Sequence, residues 1–167
     1  MEINRLGKFY KDSLEYLLSV GYDRVGVETF QEMLVELFEA DLPNMKSKQA
    51  VFNLFSNKAE SEHIVWYSRI LCAAYMKKNA DRFLPFLPGD WHSIDDYCSA
   101  EVEPQNKECE EPQIIALAEV LKVGVSIEYV SASSSNMQGS PCKFGPEDAK
   151  VVVKFIYRPG HYDVLYD

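Results

Sequence analysis

A stretch near the end of the chain, Val151-Val-Val-Lys-Phe-Ile-Tyr157-Arg158-Pro-Gly160-His161-Tyr-Asp163-Val-Leu-Tyr166, decides the class of fold. Residues 151–157 form a nearly continuous apolar run, which is typical of a central strand. Arg158-Pro-Gly160 predicts a tight turn. Residues 161–166 then return as an antiparallel neighbour, so the sequence predicts a β-hairpin within an antiparallel sheet.

The returning strand carries a histidine that is followed two residues later by a carboxylate. Side chains at positions i and i+2 of a strand share one face, so Asp163 is predicted on the same side of the sheet as His161. A carboxylate there can fix the imidazole tautomer and stabilise its protonated form, as the orienting residue of a catalytic triad does. A strand-end histidine beside an aspartate is more often a surface or packing residue, so the residues alone leave both interpretations open.

Upstream of the hairpin the apolar spacing is mostly helical. Leu42-Pro43 is predicted to end one helix, Ser61 to cap the start of a longer one, and Ser93 to cap a third. The predicted helices cover residues 9–18, 28–40, 46–55, 61–75 and 113–121.

A strand follows these helices. Val123, Val125, Ile127 and Tyr129 alternate with small or polar residues, and residues 131–149 are rich in Ser, Gly and Pro, as in a surface loop. Helices followed by strands predict an α+β fold, and 167 residues suffice for a single domain over residues 1–167.

Composition and charge exclude several functional classes. The hydrophobic fraction of 47% is that of an ordinary globular protein, and a net charge of −9 argues against nucleic acid or an anionic membrane as partner. No stretch is apolar enough for a membrane span, and the opening residues do not form a signal peptide. The charge is compatible with a basic protein partner.

The cysteines and histidines predict neither disulfides nor a metal site. The four cysteines have no paired spacing, which favours reduced thiols and a cytoplasmic or nuclear protein. The three histidines lack ligand spacing, and the eight glycines form no phosphate loop, so no metal or cofactor is expected.

No cysteine meets the requirements of a nucleophile, which needs a lowered thiol pKa. Cys72 and Cys98 fall inside predicted helices, where a cysteine is usually a small buried hydrophobe. Three glutamates surround Cys109 and should raise the pKa of its thiol. Cys142, in the predicted loop, is the least implausible of the four, although a loop cysteine is usually only an exposed thiol. There is no G-x-S-x-G serine motif either.

The chain resembles a known family over nearly its whole length. Residues 157–166 resemble the C-terminal histidine motif of the otubains, the OTU-family cysteine deubiquitinases. Three further segments are similar to that family, and weaker likeness covers Val27-Glu-Thr-Phe30 and residues 61–75 with Arg69. The three segments are Tyr97-Cys98-Ser-Ala-Glu-Val102-Glu103-Pro104, Gln113-Ile-Ile-Ala-Leu-Ala-Glu-Val-Leu121 and Val125-Ser-Ile-Glu-Tyr129.

The resemblance implies a papain-like α+β fold and cleavage of isopeptide bonds after the C-terminal glycine of ubiquitin, with ubiquitin or polyubiquitin as partner. It makes His161 the general base and acid and Asp163 the orienting carboxylate. The family's nucleophile lies in an Asp-Gly-Asn-Cys motif, which this sequence lacks. We therefore expect a domain that is N-terminally truncated relative to the family, with an incomplete fold and no activity as written. The alternative is an inactive ubiquitin-binding or protein-interaction module.

Overall fold

The computed structural model describes residues 2–130 and 141–166. The chain divides into two compact units, Met1–Gln113 and Ile114–Asp167. The first unit is helical and the second contains the sheet, so the predicted α+β class with its helical N-terminal part is confirmed. The assignment of residues 1–167 to one truncated domain stays a prediction.

The helical unit is built from helices of unequal length joined by short turns. α5 is the longest, and two π-helical turns, Leu37–Asp41 and Cys98–Val102, continue α2 and α7. The helices are α1 Glu2–Ser19, α2 Arg24–Glu36, α3 Leu42–Asn44, α4 Lys48–Ser56, α5 Lys58–Lys78, α6 Ala80–Phe83, α7 Ile94–Tyr97 and α8 Glu111–Leu121, of which α8 continues into the second unit.

The core of the helical unit lies where α1, α2 and α5 meet. Leu17, Leu34 and Leu71 are at most 1% exposed there. The Ser13 and Tyr67 hydroxyls lie 2.7 Å apart, which supplies a partner for each buried hydroxyl. The apolar stripe of each helix thus packs against its neighbours, and helix propensity alone need not stabilise them.

One predicted helix boundary is confirmed and two are wrong. Ser93 caps α7, with its side chain accepting from the Asp95 and Asp96 amides, as predicted. Leu42-Pro43 does not end the second helix: Pro43 lies in the first turn of α3, where its missing N–H costs nothing. Ser61 is not an N-cap, because Asn57 accepts from Ala59 N at 3.0 Å and α5 begins at Lys58.

The sheet of the second unit has four strands in the order β2-β1-β3-β4. The predicted hairpin is confirmed: β3 is flanked on both sides and β4 returns antiparallel to it. The prediction of a wholly antiparallel sheet was wrong, because β1 and β3 run parallel. The strands are β1 Gly124–Tyr129, β2 Cys142–Phe144, β3 Val151–Arg158 and β4 His161–Leu165.

β1 and β3 can run parallel because part of the segment that was predicted to be a loop forms a strand. Residues 142–144 form strand β2, which pairs antiparallel with the far edge of β1. The chain has thus already reversed once before β3 begins, so β3 runs in the direction of β1. Cys142 accordingly lies in an edge strand and not in a loop, while residues 131–140 of that prediction fall outside the described residues.

Candidate histidine–carboxylate site

The two faces of the sheet have different surroundings. Val125 and Ile127 are buried with Ala118 of α8, and Phe155 and Tyr157 pack against this cluster. We call this side the α8 face. His161 and Asp163 pair with Arg158 and Ile156 of β3 and therefore point to the opposite face, because directly paired residues share a side.

The structure brings the two predicted site residues together. His161 Nε2 lies 3.1 Å from Asp163 Oδ1, and the side chains are 67% and 61% exposed. The carboxylate thus occupies one ring nitrogen and favours the tautomer that places a proton there. Nδ1 has no hydrogen-bond partner in the described part of the chain, so it is the nitrogen available to accept a proton from a nucleophile.

Aromatic packing on the α8 face supports the turn that presents His161. Pro159 and Gly160 form the two-residue turn, and the φ of +80° at Gly160 is the value that the third position of a type II turn requires. The Gly160 amide donates to the Tyr157 hydroxyl at 3.5 Å, and the Tyr157 and Tyr162 rings lie 4.6 Å apart. The turn is therefore anchored from the side opposite to the histidine.

Cys142 is the one cysteine of the sheet unit and is not placed to serve His161. Two strands separate β2 from β4, which amounts to about 14 Å across the sheet. Cys142 also pairs with Ile127 and therefore lies on the α8 face. A thiol on the far edge and the wrong face cannot transfer its proton directly to His161.

Two of the three cysteines in the helical unit are buried and inert. Cys72 Sγ donates to Gln113 O at 3.4 Å, and burial raises the pKa of its thiol far above the ordinary range. Burial also raises the pKa of Cys98 to about 12, and its Sγ donates to Ala73 O at 3.8 Å. Both agree with the predicted role as small buried hydrophobes.

Cys109 is exposed, and its surroundings differ from what the sequence indicated. The sequence places three glutamates next to it, but the structure adds a cation, since Arg69 Nη1 lies 3.7 Å from its Sγ. Arg69 is 9% exposed, and its guanidinium donates to three carbonyls: Val102 O at 2.6 Å, Lys107 O at 3.1 Å and Glu101 O at 3.2 Å. Arg69 therefore holds the segment from Glu101 to Cys109 against α5.

Among residues 2–130 and 141–166 no group of three His, Cys, Asp or Glu side chains could hold a metal ion. In the same ranges no helix is long and apolar enough to span a bilayer. An exposed apolar surface is present on α4: Phe52 and Phe55 are 64% and 41% exposed, and the helix has no buried residue. No prediction from the sequence pointed to this surface.

The fold, the histidine–carboxylate pair and the hairpin motif agree with one family. The family profile described as Peptidase C65 Otubain matches residues 1–167. This chain belongs to the otubain family. Ubiquitin thioesterase OTUB1 of Homo sapiens is 32% identical to this otubain over 165 residues, which cover 99% of the chain and 59% of the relative. Ubiquitin thioesterase OTUB2 of Homo sapiens is 31% identical over 153 residues, covering 90% and 62%.

Solved structures confirm the OTU fold of this otubain. A ceOTUB1–ubiquitin aldehyde–UBC13~Ub complex matches with a TM-score of 0.85 and 25% identity over 98% of this chain and 68% of the other. An h/ceOTUB1–ubiquitin aldehyde–UBCH5B~Ub complex matches with a TM-score of 0.88 at 22% identity, which bears on the fold alone. The chain spans about three fifths of the length of the curated relatives it matches. The roles of His161 and Asp163 stay predictions.

Proposed function

We propose that this otubain supplies the histidine and carboxylate of a cysteine-type ubiquitin thioesterase and isopeptidase. The observation that carries the proposal is the 3.1 Å contact between His161 Nε2 and Asp163 Oδ1, with Nδ1 left over. Family membership supports the substrate class, since OTUB1 and OTUB2 are ubiquitin thioesterases and OTUB1 is solved in complex with ubiquitin aldehyde.

The proposed chemistry needs a thiol to work with His161. Nδ1 would take the thiol proton, and the thiolate would attack the carbonyl carbon at the C-terminus of ubiquitin. The leaving amine would receive the proton from the imidazolium, which leaves ubiquitin as a thioester on the enzyme. Water would then release ubiquitin, with His161 again acting as the base. Asp163 orients the ring throughout and stabilises its charged form.

We also propose that the 167 residues as written do not carry out this cycle unaided. Cys142 is two strands away on the other face, and Cys72 and Cys98 are buried with raised thiol pKa values. Cys109 is exposed and belongs to the helical unit, whereas His161 belongs to the sheet unit. The unpaired cysteines support a cytoplasmic or nuclear location.

The direct test uses a ubiquitin derivative with a C-terminal electrophile and a fluorogenic ubiquitin C-terminal amide. Intact mass of the chain should show no adduct, and the chain alone should give no fluorescence. Addition of an otubain segment that carries Asp-Gly-Asn-Cys should restore both signals, which His161→Ala should abolish. The matched control His92→Ala removes an exposed loop histidine and should change nothing. Cleavage by the chain alone that disappears in His161→Ala would contradict the proposed inactivity.

The exposed surface of α4 favours a second function, that of a ubiquitin-binding module without catalysis. Phe52 and Phe55 are three residues apart and so share one face of the helix. Exposed aromatic pairs of this kind are typical of protein-binding surfaces. Titration of labelled ubiquitin should then give saturable binding that Phe52→Ser weakens at least about tenfold, while His161→Ala leaves it unchanged. Binding with no activity in the complementation test would favour this alternative.

A further inference from the structure

The helical unit contains a cavity of about 770 Å³. Its walls come from the turn that precedes α7, from α7 with the π-helical turn that follows it, and from the segment leading into α8. All of its lining residues belong to the Met1–Gln113 unit. The proposed chemistry of His161 does not use it, so it raises a separate question about ligands.

An aromatic pair forms the apolar part of the cavity wall. The Trp91 and Tyr97 rings lie 5.4 Å apart and nearly perpendicular, at 79°. The Trp91 indole N–H is already used, since it donates to Pro88 O at 2.9 Å. Trp91 can therefore offer a ligand its ring surface but no hydrogen. Such surfaces attract planar or cationic groups.

The rest of the wall is strongly acidic. Glu101 is paired with Lys107, with 3.1 Å between Nζ and the carboxylate. Asp90, Glu108 and Glu110 also line the cavity, and their carboxylates have no ion-pair or hydrogen-bond partner within residues 2–130 and 141–166. These charges also act on the cavity wall: burial raises the pKa of Tyr97 to about 12, and the negative charges of Glu110 and Glu101 add to this effect.

A buried hydroxyl group in the cavity wall retains the capacity to donate one hydrogen bond. Tyr97 is 1% exposed, and its hydroxyl accepts a hydrogen bond from Gln113 Nε2 at 2.8 Å. The amide orientation is fixed, because Gln113 Oε1 accepts from Glu110 N at 3.1 Å. The Tyr97 O–H hydrogen has no acceptor in the described part of the chain. A buried donor without an acceptor is costly, and a carbonyl group that enters the cavity can accept this hydrogen.

We propose that this cavity binds an arginine side chain presented by a peptide segment of a protein partner. A guanidinium is planar and weakly hydrated, so it can stack on Trp91 while its N–H groups meet Glu108 and Glu110. The peptide carbonyl of the same segment supplies the acceptor for the Tyr97 hydroxyl. Free arginine suits the site less well, because its α-carboxylate would face an acidic wall whose one cation is already paired with Glu101.

The test is an NMR titration of the complete chain with Nα-acetyl-arginine amide, followed at the Trp91 indole signal, which Trp91→Phe assigns. Matched ligands are the neutral isostere Nα-acetyl-citrulline amide and Nα-acetyl-lysine amide with a free ε-amine. We expect a saturable shift with arginine, a weaker one with lysine and none with citrulline at equal concentration. The double variant Glu108→Gln/Glu110→Gln should raise the Kd at least about fivefold. Tyr97→Phe should also weaken binding.

The control is Glu32→Gln/Glu147→Gln, which removes the same charge from two exposed sites outside the cavity and should leave the Kd unchanged. A well-dispersed spectrum shows that each variant is folded. Equal shifts with citrulline and arginine, equal affinity for lysine and arginine, equal weakening by the control variant, or no shift at all would each overturn the assignment to arginine. None of these results depends on His161, so they leave the proposed chemistry untouched.

Discussion

Arg69 is a buried cation without a carboxylate partner among its hydrogen bonds, and replacing it gives the sharpest stability prediction. Its guanidinium donates to the carbonyls of Glu101, Val102 and Lys107, two of which lie at the end of the π-helical turn. Carbonyls at a helix end carry partial negative charge, which favours a cation there. Arg69→Met keeps most of the side-chain volume and removes every donor.

The expected cost follows from the three hydrogen bonds. A hydrogen bond to a charged group contributes roughly 1.5–3 kcal/mol, but bonds from one group are not additive. Arg69→Met leaves these carbonyl acceptors without their donor, at roughly 1–3 kcal/mol for each one that water does not reach, so we expect a total loss of about 3–5 kcal/mol. Arg69→Lys keeps the charge but not the planar arrangement of N–H donors, so we expect it to lower the unfolding free energy by roughly 2 kcal/mol.

Urea unfolding followed by circular dichroism measures these values. The matched control is Lys11→Met, which removes an exposed cation from α1 and should change the unfolding free energy by less than about 0.5 kcal/mol. Arg69→Met should also weaken arginine binding in the cavity, because the segment that Arg69 holds forms part of the wall. A loss below about 1 kcal/mol would refute the reasoning, since it would mean that water replaces the guanidinium at no cost.

Three further predictions concern glycines, thiols and pH. Gly145→Ala should destabilise the fold by more than about 2 kcal/mol, because φ is +103° and the new Cβ would collide with the Val123 carbonyl. Gly26→Ala in α2 has open space around it and should leave the stability unchanged or raise it by about 0.5 kcal/mol. Thermal unfolding compares the two variants. Iodoacetamide at pH 8 should alkylate only the two exposed cysteines of the native chain, and peptide mapping that found the buried pair modified would contradict their burial. The unfolding free energy should stay level up to about pH 9 and then fall as the pH rises further. The reason is that Cys98 and Tyr97, with pKa values raised to about 12, keep protons in the folded state that the unfolded chain releases. A rise in stability above pH 9 would contradict this prediction.

Local features of the fold could be predicted from the sequence. The β3–β4 hairpin follows from an apolar run, a Pro-Gly turn and a second strand, all within sixteen residues. The shared face of His161 and Asp163 follows from the two-residue period of a strand. Ser93 was found as an N-cap because the cap and the amides it accepts from are neighbours in sequence.

Features that depend on distant partners could not be predicted. The parallel alignment of β1 and β3 depends on strand β2, whose three residues carry too weak a pattern to be recognised. The partners of Arg69 are backbone carbonyls 32 to 38 residues away, and carbonyls leave no trace in a sequence. One signal was present: Arg69 directly precedes the apolar run of α5 from Ile70 to Ala74, and a charged side chain buried in such surroundings needs a partner.

The length of the two-residue turn between β3 and β4 sets the register of β4 and thereby the position of His161 and Asp163. Inserting or deleting one residue beside Pro159-Gly160 would shift β4 by one position, and each of its side chains would change sides. His161 would then point into the aromatic packing beneath α8, and Tyr162 would take its place on the outer side. The length of the turn therefore affects both the proposed chemistry and the fold: a chain with a turn of the wrong length would misplace His161, the proposed base, and lose the aromatic packing of β4 at the same time.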